Sequence, residues 1–356
     1  VKYLICLILC FSLNSQALIE AWSSSLPEKS KFQVSREMRA RVNFWVKIYS
    51  HYNTTQGVFH MIDDPSIILG EIDLTTIYQN QNMPDSRKRK LIELEVKSKK
   101  NYLVSKFNVD SSKVRLQMGL RDRMRKAFYL SGKYLDQMED IFAKENLPIE
   151  LTRVVFVESS FNIYAQSKVG ASGLWQIMPS VGRSKGYITT NYDKRNHPVY
   201  ATKLAAKIMK QNYRGLKSWP LAITAYNHGL TGVRRMMKKS ESVRIEDMIK
   251  SKQVTRSWGF ASKNFYACFL AVLEVERNAP ELFGDDLIRA DHLSFKEYRL
   301  PNHTNKAEVL TWFDGSITRF KNMNPHLNWA AIKKRKTLPA GVPLMIPKKN
   351  FDLVQN

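Results

Sequence analysis

From Leu120 to Glu276, apolar residues return every three or four positions in one segment after another. This spacing commits that part of the chain to packed amphipathic helices. The pattern predicts helices at Leu120 to Leu130, Lys133 to Glu145, Pro148 to Ser160, Pro198 to Tyr213, Pro220 to Gly229 and Lys263 to Glu276. Three of these open on proline, whose missing N–H costs nothing in a helix's first turn. In the fourth, Ala201, Leu204, Ala205, Ile208, Met209 and Asn212 share one face. The run Val154 to Val157 is apolar all round, which marks a central buried helix.

The remaining sequence divides around this block. The 356 residues are more than one core comfortably holds, so two or three packed units are expected. A 44% hydrophobic content argues against extensive disorder. Residues 18–115 read as a helical, basic N-terminal region, with helical runs at Arg39 to Tyr49 and Arg87 to Lys106 that present a solvated face. Residues 281–356 read as a small module of short helical and strand elements. Within it, Met323 to Pro347 holds an Asn-Pro turn, a short helix, a Pro-Ala-Gly turn and an apolar strand.

At the start, Lys2 precedes an apolar run from Leu4 to Leu13, and Ser15 and Ala17 follow as small residues. This order is that of a secretory signal peptide over residues 1–17, with cleavage expected after Ala17 and export to the periplasm. Cleavage removes Cys6 and Cys10 and leaves Cys268 alone, so no internal disulfide is expected. Leu9 before Cys10 is too large for a lipid-modified cysteine. No later apolar run approaches the length of a membrane span, which leaves a soluble or peripherally membrane-associated product.

The formal net charge of +24 calls for a polyanionic partner: nucleic acid, an anionic membrane or an acidic wall polymer. No nucleic-acid module is present, and export argues against that partner. There is no GxGxxG, Walker loop, GxSxG or HExxH, and the histidines are scattered. No cofactor and no metal site are therefore expected.

One acidic residue stands out. Glu158 ends the apolar run, where partial desolvation and the negative end of the helix dipole both favour its protonated form. That is the state a general acid needs. Ser159, Ser160 and Asn162 follow as small polar groups able to orient it. Gly170 and Gly173 then bracket a turn delivering Trp175 as an aromatic wall and Gln176 as an amide. The stretch Ala225-Tyr226-Asn227-His228-Gly229 closes a later helix near the same cleft.

In order and spacing, the segments LPIELTRVVFVESSFN, SKVGASGLWQIMPSVGR, YDKRNHPVYATKLAAKIM and the AYN triplet resemble the lytic murein transglycosylases with a soluble-lytic-transglycosylase (SLT) domain, glycoside hydrolase family 23. Within that family the likeness is to the membrane-bound lytic murein transglycosylase D group, and it covers about Leu116 to Glu276. It implies a mainly α fold with an α+β lysozyme-like catalytic domain over 116–280. It also implies peptidoglycan glycan strands as substrate, Glu158 as the single acid/base, and Ser159, Gln176, Tyr226, Asn227 and Tyr266 as substrate-binding residues.

Two positions depart from the family pattern. Asn264-Phe265-Tyr266 stands where the family has Asn-Tyr, and His197 stands where it often has aspartate before the proline. The C-terminal NPHL and LPAGVPLMIP resemble the end of a peptidoglycan-binding LysM repeat. Two other readings compete: a hydrolytic muramidase with Asp193 as second carboxylate, and a catalytically silent wall-binding protein.

Overall fold

The computed structural model describes residues 24–354; the expected signal peptide lies outside them. In chain order the elements begin with α1 (Arg39–Ser50), β1 (Gln56–Met61), β2 (Ile68–Asp73), α2 (Thr75–Gln79), α3 (Asp85–Phe107) and β3 (Val114–Met118). The helical block follows: α4 (Arg121–Ser131), α5 (Leu135–Lys144), a 3₁₀ turn (Ile149–Arg153), α6 (Val154–Ser159), α7 (Pro179–Ser184), α8 (Pro198–Leu216), α9 (Trp219–His228), α10 (Leu230–Ser240), α11 (Ile245–Lys250), α12 (Phe260–Arg277) and α13 (Ala279–Phe283). The chain ends with β4 (Phe295–Arg299), β5 (Thr304–Asn305), α14 (Lys306–Thr311), α15 (Ile317–Met323), α16 (Trp329–Ile332), β6 (Thr337–Leu338) and β7 (Pro343–Pro347).

The fold is mainly α, and each helix predicted between Leu120 and Glu276 has its counterpart. The segment 148–160 is the one that splits, into the 3₁₀ turn and then α6. One continuous core joins α1 to the helical block, with Val42, Phe44, Trp45 and Ile48 packed together with Phe128, Phe156, Trp175 and Phe269. Residues on both sides of position 115 thus share this core. At its centre is α12, whose Phe265 to Leu273 are all buried. Asn264 fixes α1 to α12: its Oδ1 accepts from Arg41 Nη1 at 2.8 Å and Trp45 Nε1 at 3.1 Å.

The N-terminal region also holds an antiparallel sheet, ordered β2-β1-β3, which the helical reading of that region lacks. Its strands are short, and β2 alternates exposed and buried residues among charges, so no long period-two signal stands out. Phe59, Leu69 and Val114 meet Leu103 of α3 in a small separate core. Leu103 is the one buried residue of that 23-residue helix.

The C-terminal module has its own core around Phe313, Phe320, Ile332 and Leu344, with β4 paired antiparallel to β7. It docks on the loop before α8. The Asp193 N–H donates to the His326 carbonyl at 2.7 Å, and Asn328 N–H donates to Asn191 O at 2.8 Å. The rings of His197 and His326 meet edge-on at 5.1 Å. His197 also caps α8, its Nδ1 accepting from Val199 N–H at 3.3 Å. Burial and His326 push the His197 pKa well down, so the ring is neutral and free to accept.

Candidate active site

The helix that carries Glu158 is short and held from behind. Val154, Val155 and Phe156 are buried in the main core. Just before them, the buried Arg153 donates to both oxygens of Glu276 (2.7 and 2.6 Å) and to Ser25 Oγ (2.8 Å), and it pairs with Glu139. One guanidinium therefore ties α6 to α12, α5 and the N-terminal strap. Directly after Glu158 and Ser159, the chain takes two consecutive left-handed residues, Ser160 (φ 48°) and Phe161 (φ 57°). Neither is glycine, and such strain persists only where packing imposes it. Phe161 is 1% exposed and packs on Phe156 at 5.3 Å. The reversal leaves Glu158 at the last turn, facing a cleft.

That cleft has a volume of about 1890 Å³. Its floor is Val157 to Ser167 with Gln176. One wall is α4 with the turn after it, and the opposite wall comes from the C-terminal module. Glu158 is the only carboxylate that lines it among the described residues, and no donor among them hydrogen-bonds its carboxyl. Burial pushes its pKa up to about 8, so the carboxyl is protonated at neutral pH while keeping an open side to the cleft.

The other expected site residues divide. Ser159 lines the cleft, but its hydroxyl donates to Val155 O at 3.2 Å. Ser160 and Asn162 also line it, without bonding to Glu158; Asn162 instead accepts from Tyr164 N–H at 3.0 Å. Gln176 lines the cleft with a positive φ of 44°, and its amide NH₂ donates to Ala165 O (3.0 Å) and Gly173 O (2.9 Å). Its role in the folded chain is thus to brace the cleft floor, with its carbonyl oxygen left over.

Tyr226 lies behind this floor. Its hydroxyl donates to Trp175 O at 2.8 Å, and burial followed by the charge of Glu158 raises its pKa. Asn227 is exposed at the end of α9, outside the cleft lining, and Tyr266 is a core residue stacked on Phe269 at 6.3 Å.

Trp175 is not the aromatic wall expected from the sequence. It is fully buried, stacked on Phe142 at 5.5 Å and 8°, with its indole N–H donated to Thr202 Oγ1 at 2.8 Å. The glycine turn does form: Gly173 has φ 75°, and a Cβ there would lie 2.1 Å from Arg195 O. Asp193 is held by Arg195 Nη2 at 2.7 Å and Nε at 3.0 Å, and it caps the 3₁₀ turn before His197.

One group escaped the sequence reading. Tyr49 of α1 is 3% exposed, and its hydroxyl environment is shaped by burial, by a hydrogen bond with the Cys268 thiol and by the charge of Glu158. The N-terminal region thereby comes within electrostatic range of the acidic residue. Nothing in the local sequence around Tyr49 signals this, because the contact depends on α1 lying along α12.

Residues 139–249 match the Transglycosylase SLT domain family. Membrane-bound lytic murein transglycosylase D of Escherichia coli (strain K12) is 30% identical over 218 residues, which are 59% of this chain and 45% of that protein. A putative tributyltin chloride resistance protein of Alteromonas sp. (strain M-1) is 34% identical over 118 residues, 32% of this chain and 57% of that one. The chain thus spans about half the length of the curated relatives it matches. An inactive mutant of the lytic transglycosylase Slt from Pseudomonas aeruginosa aligns at 20% identity and a TM-score of 0.32, covering 42% of this chain and 25% of that one.

Proposed function

We propose that this chain, whose residues 139–249 match the transglycosylase SLT domain, is a peptidoglycan lytic transglycosylase. In this reading it cleaves the β-1,4 bond between N-acetylmuramic acid and N-acetylglucosamine without water. The observation that carries the reading is Glu158: a carboxyl protonated near neutral pH, without a hydrogen-bond partner among the described residues, and alone as a carboxylate in a long cleft.

Ordinary glycosidases need two carboxylates across the scissile bond. With one, the acid must also serve as the base. Glu158 donates its proton to the glycosidic oxygen as the bond to C1 breaks, and the substrate's own 2-acetamido group supports the developing positive charge. The glutamate, now ionised, takes the proton of the muramoyl 6-hydroxyl as that oxygen closes on C1. The product is a 1,6-anhydro end, and Glu158 is again protonated. A raised pKa suits both halves of this cycle. Gln176 within the floor and Tyr226 behind it brace the surface on which the strand lies.

Asp193, the residue a hydrolytic muramidase would recruit, is occupied by Arg195. The expected export and periplasmic location belong to this reading. Among the described residues no helix is long and apolar enough to cross a membrane.

The test is to incubate the parent and its Glu158→Gln form with purified peptidoglycan and weigh the released fragments. Anhydro-ended fragments from the parent alone are expected. Fragments one water heavier would replace this reading with hydrolysis, and none from either would leave a binding protein.

A further inference from the structure

The cleft is larger than one sugar-binding groove requires, and its two walls are basic. Small-ligand pockets reach about 1,000 Å³, whereas this one holds about 1890 Å³. On the α4 side it is lined by Arg123, Lys126 and Lys133, and on the opposite side by Arg319, Lys348 and Lys349 of the C-terminal module.

The cations of α4 fall into two groups by face. Arg125 pairs with Asp286 at 2.6 Å and Arg121 Nη2 donates to Leu282 O at 3.1 Å, so both serve the fold. Arg123 and Lys126 face the cleft at i, i+3 spacing, followed by Lys133 in the turn directly after the helix, and none of the three has an ion-pair partner among the described residues. Across the cleft Lys348 is likewise unpaired, and Arg319 and Lys349 share the single Asp314. The four unpaired cations, Arg123, Lys126, Lys133 and Lys348, gain no ion pair within the described residues, and like charges gathered on two walls repel one another. Low-dielectric walls focus their field into the space between.

We propose that α4 and the C-terminal module together form a cationic subsite that binds the carboxylates of the stem peptides carried by the glycan strand. The proposal rests on the transglycosylase reading of Glu158, and it makes the module a wall of the catalytic cleft. Four of the six cations are lysines, point charges spread over separate elements with no arginine fork converging on one spot. That arrangement suits carboxylates strung along a peptide better than a single dianionic phosphate.

The experiment uses the full chain carrying Glu158→Gln, which holds strands without cutting them. Its affinity is measured for glycan strands with stem peptides and for the same strands stripped of them, at low and high salt. Tighter binding of the peptide-bearing strands is expected, with the preference fading as salt rises. Adding Lys126→Gln and Lys348→Gln should shrink the preference by about three- to ten-fold, the worth of two exposed charge contacts. Lys90→Gln with Lys97→Gln, an equal charge loss on the exposed face of α3, should leave it in place.

Equal affinity for both strands, or an equal loss in the α3 control, overturns the subsite. So does competition by inorganic phosphate as effective as by a stem-peptide mimic, which would assign the walls to phosphate. The parent is assayed in parallel for anhydro-ended products. Their presence with no stem preference removes the subsite alone, and their absence removes the reading beneath it.

Discussion

Replacing Glu158 by glutamine should stabilise the protein, and more so as the pH rises. The carboxyl titrates near 4.5 when solvated and is pushed up to about 8 in the fold by burial. Its proton is therefore bound more tightly in the folded chain. The sign follows: this group's contribution to stability is fully present below pH 4.5 and is lost progressively as pH rises to 8. At about 1.4 kcal/mol per pH unit, the loss reaches a ceiling of roughly 5 kcal/mol above pH 8 and about 3 kcal/mol at pH 7. The carboxyl keeps an open side on the cleft, where water screens part of this, so about 1 to 3 kcal/mol is the expected gap at pH 8.5. Glutamine fills the same volume and is neutral throughout. Urea unfolding of parent and variant at pH 5, 7 and 8.5 reads the gap directly. Near-identical stabilities at pH 5 should separate with the variant ahead at pH 8.5. A gap that does not change with pH, or a parent that gains on the variant in alkali, would refute the assignment of a desolvated, unpartnered carboxyl.

The same ionisation should appear in catalysis: kcat/KM for strand cleavage is expected to fall tenfold per pH unit above about 8, measured by release of soluble fragments. Arg153→Met takes the bonded cation from Glu276 and Glu139, leaving the fully buried Glu276 with Arg289 at 4.0 Å as its ion-pair partner, and should cost about 3 to 5 kcal/mol in urea unfolding. Gly173→Ala brings a Cβ to 2.1 Å from Arg195 O at a φ of 75°, so a loss above about 2 kcal/mol is expected, with Gly186→Ala as a control that meets only the φ cost. Burial lowers the His326 pKa from 6.5 to about 4. Stability is thus intact above pH 6.5 and falls through the interval to pH 4 by up to roughly 3 kcal/mol. His326→Gln should flatten that acid limb of the unfolding profile.

What was legible in the sequence was whatever a single helix period could encode. The six helices between Leu120 and Glu276 were readable because each buries one stripe against the same core. Glu158 was readable because it interrupts an apolar run, and the direction of its titration follows from that run alone. Trp175 misled because its neighbours in sequence are a glycine turn and a cleft residue, while its ring is drawn inward by Phe142 and Thr202. The sheet of β1 to β3 was illegible for a different reason. Its strands run only five or six residues, the central one buried on both faces and only the edge strands partly exposed, too short for a period-two pattern to outweigh the charged helical text beside them. The cleft's second wall depends on where the C-terminal module docks, and no local pattern encodes that.

The placement of Glu158 joins these levels. A carboxyl with no partner in a dense surround would relax by turning toward water, unless the helix end that carries it cannot move. Three attachments hold it. Arg153 anchors the start of α6 to Glu276 and Glu139. The left-handed pair Ser160 and Phe161 is locked by burial of the phenylalanine at the other end. From behind, α1 is bonded to Asn264 of α12 and carries Tyr49, which is hydrogen-bonded to Cys268 and within electrostatic range of Glu158. The N-terminal helix, which reads in the sequence as a basic packing surface, therefore forms part of the frame that keeps the acid desolvated. Loosening that frame without touching the cleft should lower the Glu158 pKa toward its solvated value and weaken general acid catalysis at neutral pH.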